Sequence, residues 1–195
     1  MKNISIIFLL FSLIVHDTHA RIHWPEGKKA AVILTYDDGL KSQLQIVIPQ
    51  LEKHNFRGTF FLYGQVIKEE DIPEWRKASQ RGHELGNHSM FHPCLSQTTG
   101  QTTKPCHSLE CYSVKDMLIE IGMMNNFLYA IDGKKEHAYA YPCSQCVAGG
   151  EDYSKPLLAS GLSRFARGGD RGIITNTDSL NYAMIPTLPA HTGIS

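Results

Sequence analysis

An excess of charge of either sign is missing from this chain: Lys and Arg total 19, Asp and Glu total 19, and the formal net charge is zero with His neutral. That balance excludes a nucleic-acid partner on electrostatic grounds, because such binding needs a basic surface to neutralise phosphates. Long apolar runs are missing too. The longest, at residues 4–15, is about a dozen residues, against the roughly 20 that a membrane-spanning helix needs. With Lys2 before it and Thr18-His19-Ala20 after it, the run reads as a secretory signal peptide over residues 1–20. Cleavage there leaves residues 21–195 as a secreted or periplasmic chain with no membrane span. Internal repeats and a linker of distinct composition are also lacking, so residues 21–195 read as one domain. Of the cysteines, Cys94, Cys106, Cys111, Cys143 and Cys146, only the last two form a CxxC, and there is no second CxxC to complete a four-thiolate zinc site. In an exported chain these are disulfide material, and their odd number leaves at least one unpaired.

What is present alternates between two periodicities. Residues 30–36 are an apolar run too short for a helix and stopped by Asp37-Asp38-Gly39, the pattern of a strand buried on both faces of a parallel sheet. Leu44, Val47, Ile48 and Leu51 recur at helical spacing, with Pro49 bound to kink or restart that helix. A second strand is expected over residues 58–63, then a helix opened by Pro73 and closed by Gly82, then a strand over residues 83–87. Residues 95–105, rich in Ser, Thr, Gln and Gly, predict a long loop. Ser113 and Asp116 form a capping pair for a helix striped by Met117, Leu118, Ile121, Met124 and Leu128 and ended before Asp132-Gly133. Strands over 137–141 and 162–166, separated by a small helix capped by Ser154 and ended by Gly161, complete an α/β pattern.

In parallel α/β sheets the reactive groups gather beyond the carboxyl ends of the strands. Asp37-Asp38, His88 and Tyr141-Pro142-Cys143 all fall there. Separately these signals are weak. Ten His in 195 residues supply about 0.5 His-x-x-x-His pairs by chance, and Asp-Gly after a strand is an ordinary turn.

Taken in order, TYDDG, HSMFH and YAYPC resemble the polysaccharide deacetylase family, carbohydrate esterase family four with its NodB-homology domain, over residues 28–189. The resemblance implies a distorted, incompletely closed (β/α) barrel, here expected to lack its C-terminal strand and helix. It implies Asp37 as catalytic base, and Asp38, His88 and His92 as ligands of a divalent metal, zinc first with cobalt or nickel as alternatives. Two imidazoles and a carboxylate suit zinc and leave coordination positions for water and substrate. The implied reaction removes acetyl groups from an acetylated polysaccharide or oligosaccharide: the N-acetyl of chitin-like or peptidoglycan-like polymers, or the O-acetyl of xylan. The alternative is an inactive metal- and carbohydrate-binding pseudoenzyme.

The chain departs from the family pattern in two places. Where many members carry an arginine that orients the base, this one has Ala140, and Arg167 on the next strand end is its only stand-in, not counted among the site residues. No leucine-x-histidine segment matching the family's general acid follows, since His191 stands in Leu-Pro-Ala-His. Cys94 follows the second motif and Cys143 lies in the third, so a disulfide between them is expected on the same rim. Asn87-His88-Ser89 is a glycosylation sequon, discounted because a glycan would sit on a ligand.

Overall fold

The computed structural model describes residues 26–99 and 108–188. The expected signal peptide (1–20), Cys106, most of the expected 95–105 loop and His191 lie outside them.

Six parallel strands form one sheet in the order β1 (Thr35–Asp37), β2 (Thr59–Leu62), β3 (Glu84–Asn87), β4 (Tyr139–Ala140), β7 (Ala166–Arg171) and β8 (Ile185–Thr187). Helices α1 (Ile48–Lys53), α2 (Ile72–Gln80), α4 (Val114–Asp132) and α5 (Ser154–Ala159) lie on the connections, with the single turn α3 (Ser96–Thr99) after β3. A hairpin of β5 (Val147–Ala148) and β6 (Glu151–Asp152) stands apart from the sheet, its Gly149-Gly150 turn giving positive φ at both central positions. The sheet curls into an open half-barrel of the (β/α) type. The six strands of the sheet all run the same way, so their carboxyl ends lie on one rim.

Helices α2 and α4 cover one face of the sheet. Trp75 and Ala78 of α2 and Met124 and Leu128 of α4 are fully buried against Phe60, Leu62 and Leu85, each large side chain contributing about 1.5–3 kcal/mol. A second core joins Met117 and Ile121 of α4 to Leu109, Tyr139, Tyr141 and Tyr153. The predicted capping pair begins α4: Ser113 Oγ accepts from Asp116 N at 3.1 Å and Asp116 Oδ2 accepts from Ser113 N at 3.0 Å. Gly133, at φ 72°, ends it.

Several expectations are corrected. The first strand is not buried on both faces and covers only Thr35–Asp37; Val32 and Ile33 are 85% and 76% exposed. The reason is topological: among the described residues β1 is an edge with β2 as its one neighbour, and the doubly buried strand is β2, all four of whose residues are buried. Pro49 does restart the helix as expected: α1 opens at Ile48 with the proline in its first turn, and residues Gln43–Val47 before it form a π-helical segment in which Ile48 N–H reaches Gln43 O. Ser154 does not cap α5; its N–H donates to Asp152 Oδ1 at 2.7 Å, so Asp152 satisfies the helix start. The strand expected over 162–166 begins at Ala166, because Ser163 Oγ is committed to the His137 and Phe165 carbonyls.

Candidate functional site

The acidic pair separates where β1 ends. Asp37 is the last strand residue, whereas Asp38 turns to φ 76° and Gly39 to φ 63°, a left-handed excursion that sends the two carboxylates in different directions. A side chain at Gly39 would be strained by that φ and would meet Ile67 Cδ1 at 2.9 Å, so the turn requires glycine.

Two strands away, β3 delivers His88. Its ring is buried, and Nδ1 lies 2.7 Å from the Ala140 carbonyl. A carbonyl only accepts, so Nδ1 carries the proton and the Nε2 lone pair faces Asp38. Burial pushes the His88 pKa down to about 4, which keeps the ring neutral near pH 7 as a ligand must be. His88 Nε2 and His92 Nε2 stand 3.6 and 3.5 Å from Asp38 Oδ1, and one ligand atom from each of the three residues lies within 4.8 Å of the others. A tetrahedral ion with bonds of about 2.1 Å has ligand–ligand edges of about 3.4 Å, so the donor types and the two short edges fit zinc.

The loop that carries the histidines is held from behind. Asn87, 1% exposed, donates through Nδ2 to Ile121 O at 2.9 Å and Asn125 Oδ1 at 2.8 Å, and its Oδ1 accepts from Ser89 N at 2.8 Å. Those bonds and that burial also rule out a glycan on the folded Asn87. Ser89 and His92 adopt φ 65° and 53°, and Ser89 Oγ accepts from His92 N at 2.9 Å. Glu120 of α4 accepts from the N–H groups of Met90 and Phe91 at 3.1 and 2.9 Å. These backbone donors need acceptors because water is excluded from the buried side of the loop.

Asp37 is gripped by Arg167, whose Nη2 donates to Asp37 Oδ1 while its guanidinium lies 5.0 Å over the Phe61 ring. Gln43 Nε2 donates to the Asp37 backbone carbonyl. Arg167 is the residue that the sequence reading left out of the site. In the sheet register it pairs with Ala140, the position where the orienting arginine was expected, so the charge comes from the neighbouring strand. Its signal in the sequence was an arginine at the next strand end, already the stand-in there, and the register is what sets it beside Ala140.

Cys94 and Cys143 are joined, their Cα atoms 5.8 Å apart, linking the loop after His92 to the turn after β4. In that turn Cys143 and Ser144 have φ 51° and 58°, and the Ser144 and Gln145 N–H groups donate to the carbonyls of Tyr141 and Pro142. Cys111 and Cys146 are free thiols, so the CxxC is not closed on itself.

Comparison with known proteins places these residues in context. Residues 25–148 match the family model described as polysaccharide deacetylase. The chain is 32% identical over 117 residues to peptidoglycan-N-acetylmuramic acid deacetylase PdaA of Bacillus subtilis, covering 59% of this chain and 38% of that protein. It thus spans well under half the length of that relative. Among solved structures, the deacetylase PplD of Streptococcus pyogenes, in complex with acetate, has the same fold, with a TM-score of 0.64 at 18% identity over 84% of this chain and 67% of that one. A CE4 family pseudoenzyme from Bacillus anthracis superposes with a TM-score of 0.51 at 21% identity, over 69% of this chain and 42% of that one.

Proposed function

The chain belongs to the polysaccharide deacetylase family, and from that premise we propose that it is an exported, metal-dependent hydrolase that removes acetyl groups from a peptidoglycan-like or chitin-like polymer. The observation that carries this reading is the convergence on one carboxylate: both imidazole Nε2 atoms stand within 3.6 Å of Asp38 Oδ1. In this reading Asp38, His88 and His92 hold the divalent ion, zinc being the best match to two nitrogens and one oxygen. When bound, such an ion supplies Lewis acidity and lowers the pKa of a water from about 15.7 towards about 7.

Asp37 is the base that takes a proton from the water attacking the acetyl carbonyl. Arg167 fixes the direction of the Asp37 carboxylate, and the Gln43 amide fixes its backbone. Pro142 has no N–H and those of Ser144 and Gln145 are spent within the turn, so the Cys143 amide is assigned to the developing oxyanion, a contribution of about 3 kcal/mol. Acetate and a free sugar amine are the products; an ester-linked acetyl on xylan would give a hydroxyl instead. The similarity to a peptidoglycan deacetylase favours the N-acetyl substrate.

The test is acetate release from N-acetylated glycan fragments by the zinc-loaded chain and by Asp37→Asn. A loss of about 10²- to 10⁴-fold with metal content unchanged is expected, and equal rates would remove Asp37 from the role. Metal and glycan binding with no acetate from either protein would assign the chain to the pseudoenzyme class, to which one of its structural neighbours belongs.

A further inference from the structure

His92 faces two sets of potential metal ligands, one on each ring nitrogen. Its Nε2 points at Asp38, while its Nδ1 lies 3.6 Å from Cys94 Sγ. The ligand atoms of His92, Cys94 and Cys143 lie within 4.8 Å of one another. Zinc bonds of about 2.3 Å to sulfur and about 2.0 Å to nitrogen give a tetrahedral N–S edge of about 3.6 Å, the separation found between Nδ1 and Cys94 Sγ. In the structure both sulfurs are consumed by their disulfide.

We propose that reduction of the Cys94–Cys143 disulfide creates a second site for a soft divalent cation, formed by Cys94 Sγ, Cys143 Sγ and His92 Nδ1, which takes His92 away from Asp38 and His88. The exclusivity follows from the ring itself: a neutral imidazole has one lone pair, so His92 coordinates through Nδ1 or through Nε2 and not through both. The direction of transfer follows from the ligands. Two thiolates and an imidazole hold a zinc-like ion against a carboxylate and one remaining imidazole. Cys94 is buried, whereas Cys143 is exposed on its turn and offers a sulfur for attack.

The chemistry balances with a dithiol as reductant. Its thiolate attacks Cys143 Sγ, the Cys94–Cys143 bond breaks, and its second sulfur displaces Cys143 to form the reductant's own cyclic disulfide. Two electrons and two protons are thereby transferred, leaving two thiols. Each thiol gives its proton to solvent as it binds the ion. The consequence is a redox switch in which the same ion moves by a few ångströms and the deacetylase ligand set is dismantled.

The inference rests on the proposal that His92 serves the Asp38 site, and the experiment separates the two. Cobalt(II) is the probe, because thiolate ligation gives a sulfur-to-metal charge-transfer band that nitrogen and oxygen ligands do not. The oxidised full chain should bind one cobalt without that band and lose it on Asp38→Ala; retention would count against the Asp38 site alone. After dithiol treatment the wild type should still bind one cobalt and now show the band, and so should reduced Asp38→Ala. Cys94→Ser and Cys143→Ser should bind cobalt at the Asp38 site without the band, which also reports that they fold. No band in the reduced wild type overturns the proposal, as does a band that survives in the double variant Cys94→Ser, Cys143→Ser, since it would then come from Cys106, Cys111 or Cys146. Two cobalt ions per reduced chain would overturn the sharing of His92.

Discussion

The two halves of the candidate site are built to different standards of support. The histidine loop leaves a strand with neighbours on both sides, and it is pinned by Asn87, Ser89, Glu120 and the Ala140 carbonyl. The acidic turn leaves an edge strand, its Asp38 side chain is 43% exposed, and its main anchor is the reach of Arg167 to Asp37. Rigidity is therefore invested in the imidazoles by several buried contacts, and in the acidic pair by the one long reach of Arg167. Substitutions in the two halves should fail in different ways.

The widest separation is expected between Asp38→Ala and His88→Ala. Both should abolish stoichiometric zinc binding, measured by metal analysis after dialysis. Only His88→Ala should also lower the unfolding free energy of the metal-free chain, by about 2 kcal/mol, because it empties a buried position and orphans the Ala140 carbonyl. Equal stability losses would erase the contrast. Asn87→Ala should destabilise by about 3 kcal/mol in denaturant titration, since it removes a buried side chain and three hydrogen bonds at once. On the acidic side, Arg167→Lys should leave stability and zinc content within error and lower acetate release about 10- to 100-fold, because an ammonium lacks the planar fork that sets the carboxylate's angle. The last contrast concerns pH. His88 is held below its unfolded pKa by burial, so the unfolded state binds the extra proton; the stability this confers is present above about 6.5 and is lost as pH falls towards about 4. The metal-free wild type should therefore lose more stability than His88→Gln between pH 7 and pH 4, and parallel curves would contradict the assignment.

Much of this was legible from residue order. The capping pair of α4, its methionine-bearing stripe and the glycine that ends it depend on neighbours three or four positions away, so they survive without a third dimension. The grouping of Asp38, His88 and His92 came from the resemblance carried by TYDDG, HSMFH and YAYPC in order, and the Cys94–Cys143 link from two of those motifs lying on one rim. What was not legible depends on the sheet as a whole. Val32 and Ile33 look like core residues until β1 is known to be an edge, and Arg167 is only a stand-in outside the site until the register sets it beside Ala140. Ser154 lost its expected role to Asp152, two residues earlier, because both can satisfy the same helix start and composition does not rank them.

The Ala140–Arg167 pairing carries a wider lesson about how such chains are recognised. Adjacent parallel strands end so close together that a long cationic side chain rooted on either one can reach the same acid. A search that demands arginine at a single column will score this chain as defective, although the salt bridge it looks for is made from the next column over. Catalytic completeness in this architecture is better judged by which charges arrive at the rim than by which strand supplied them.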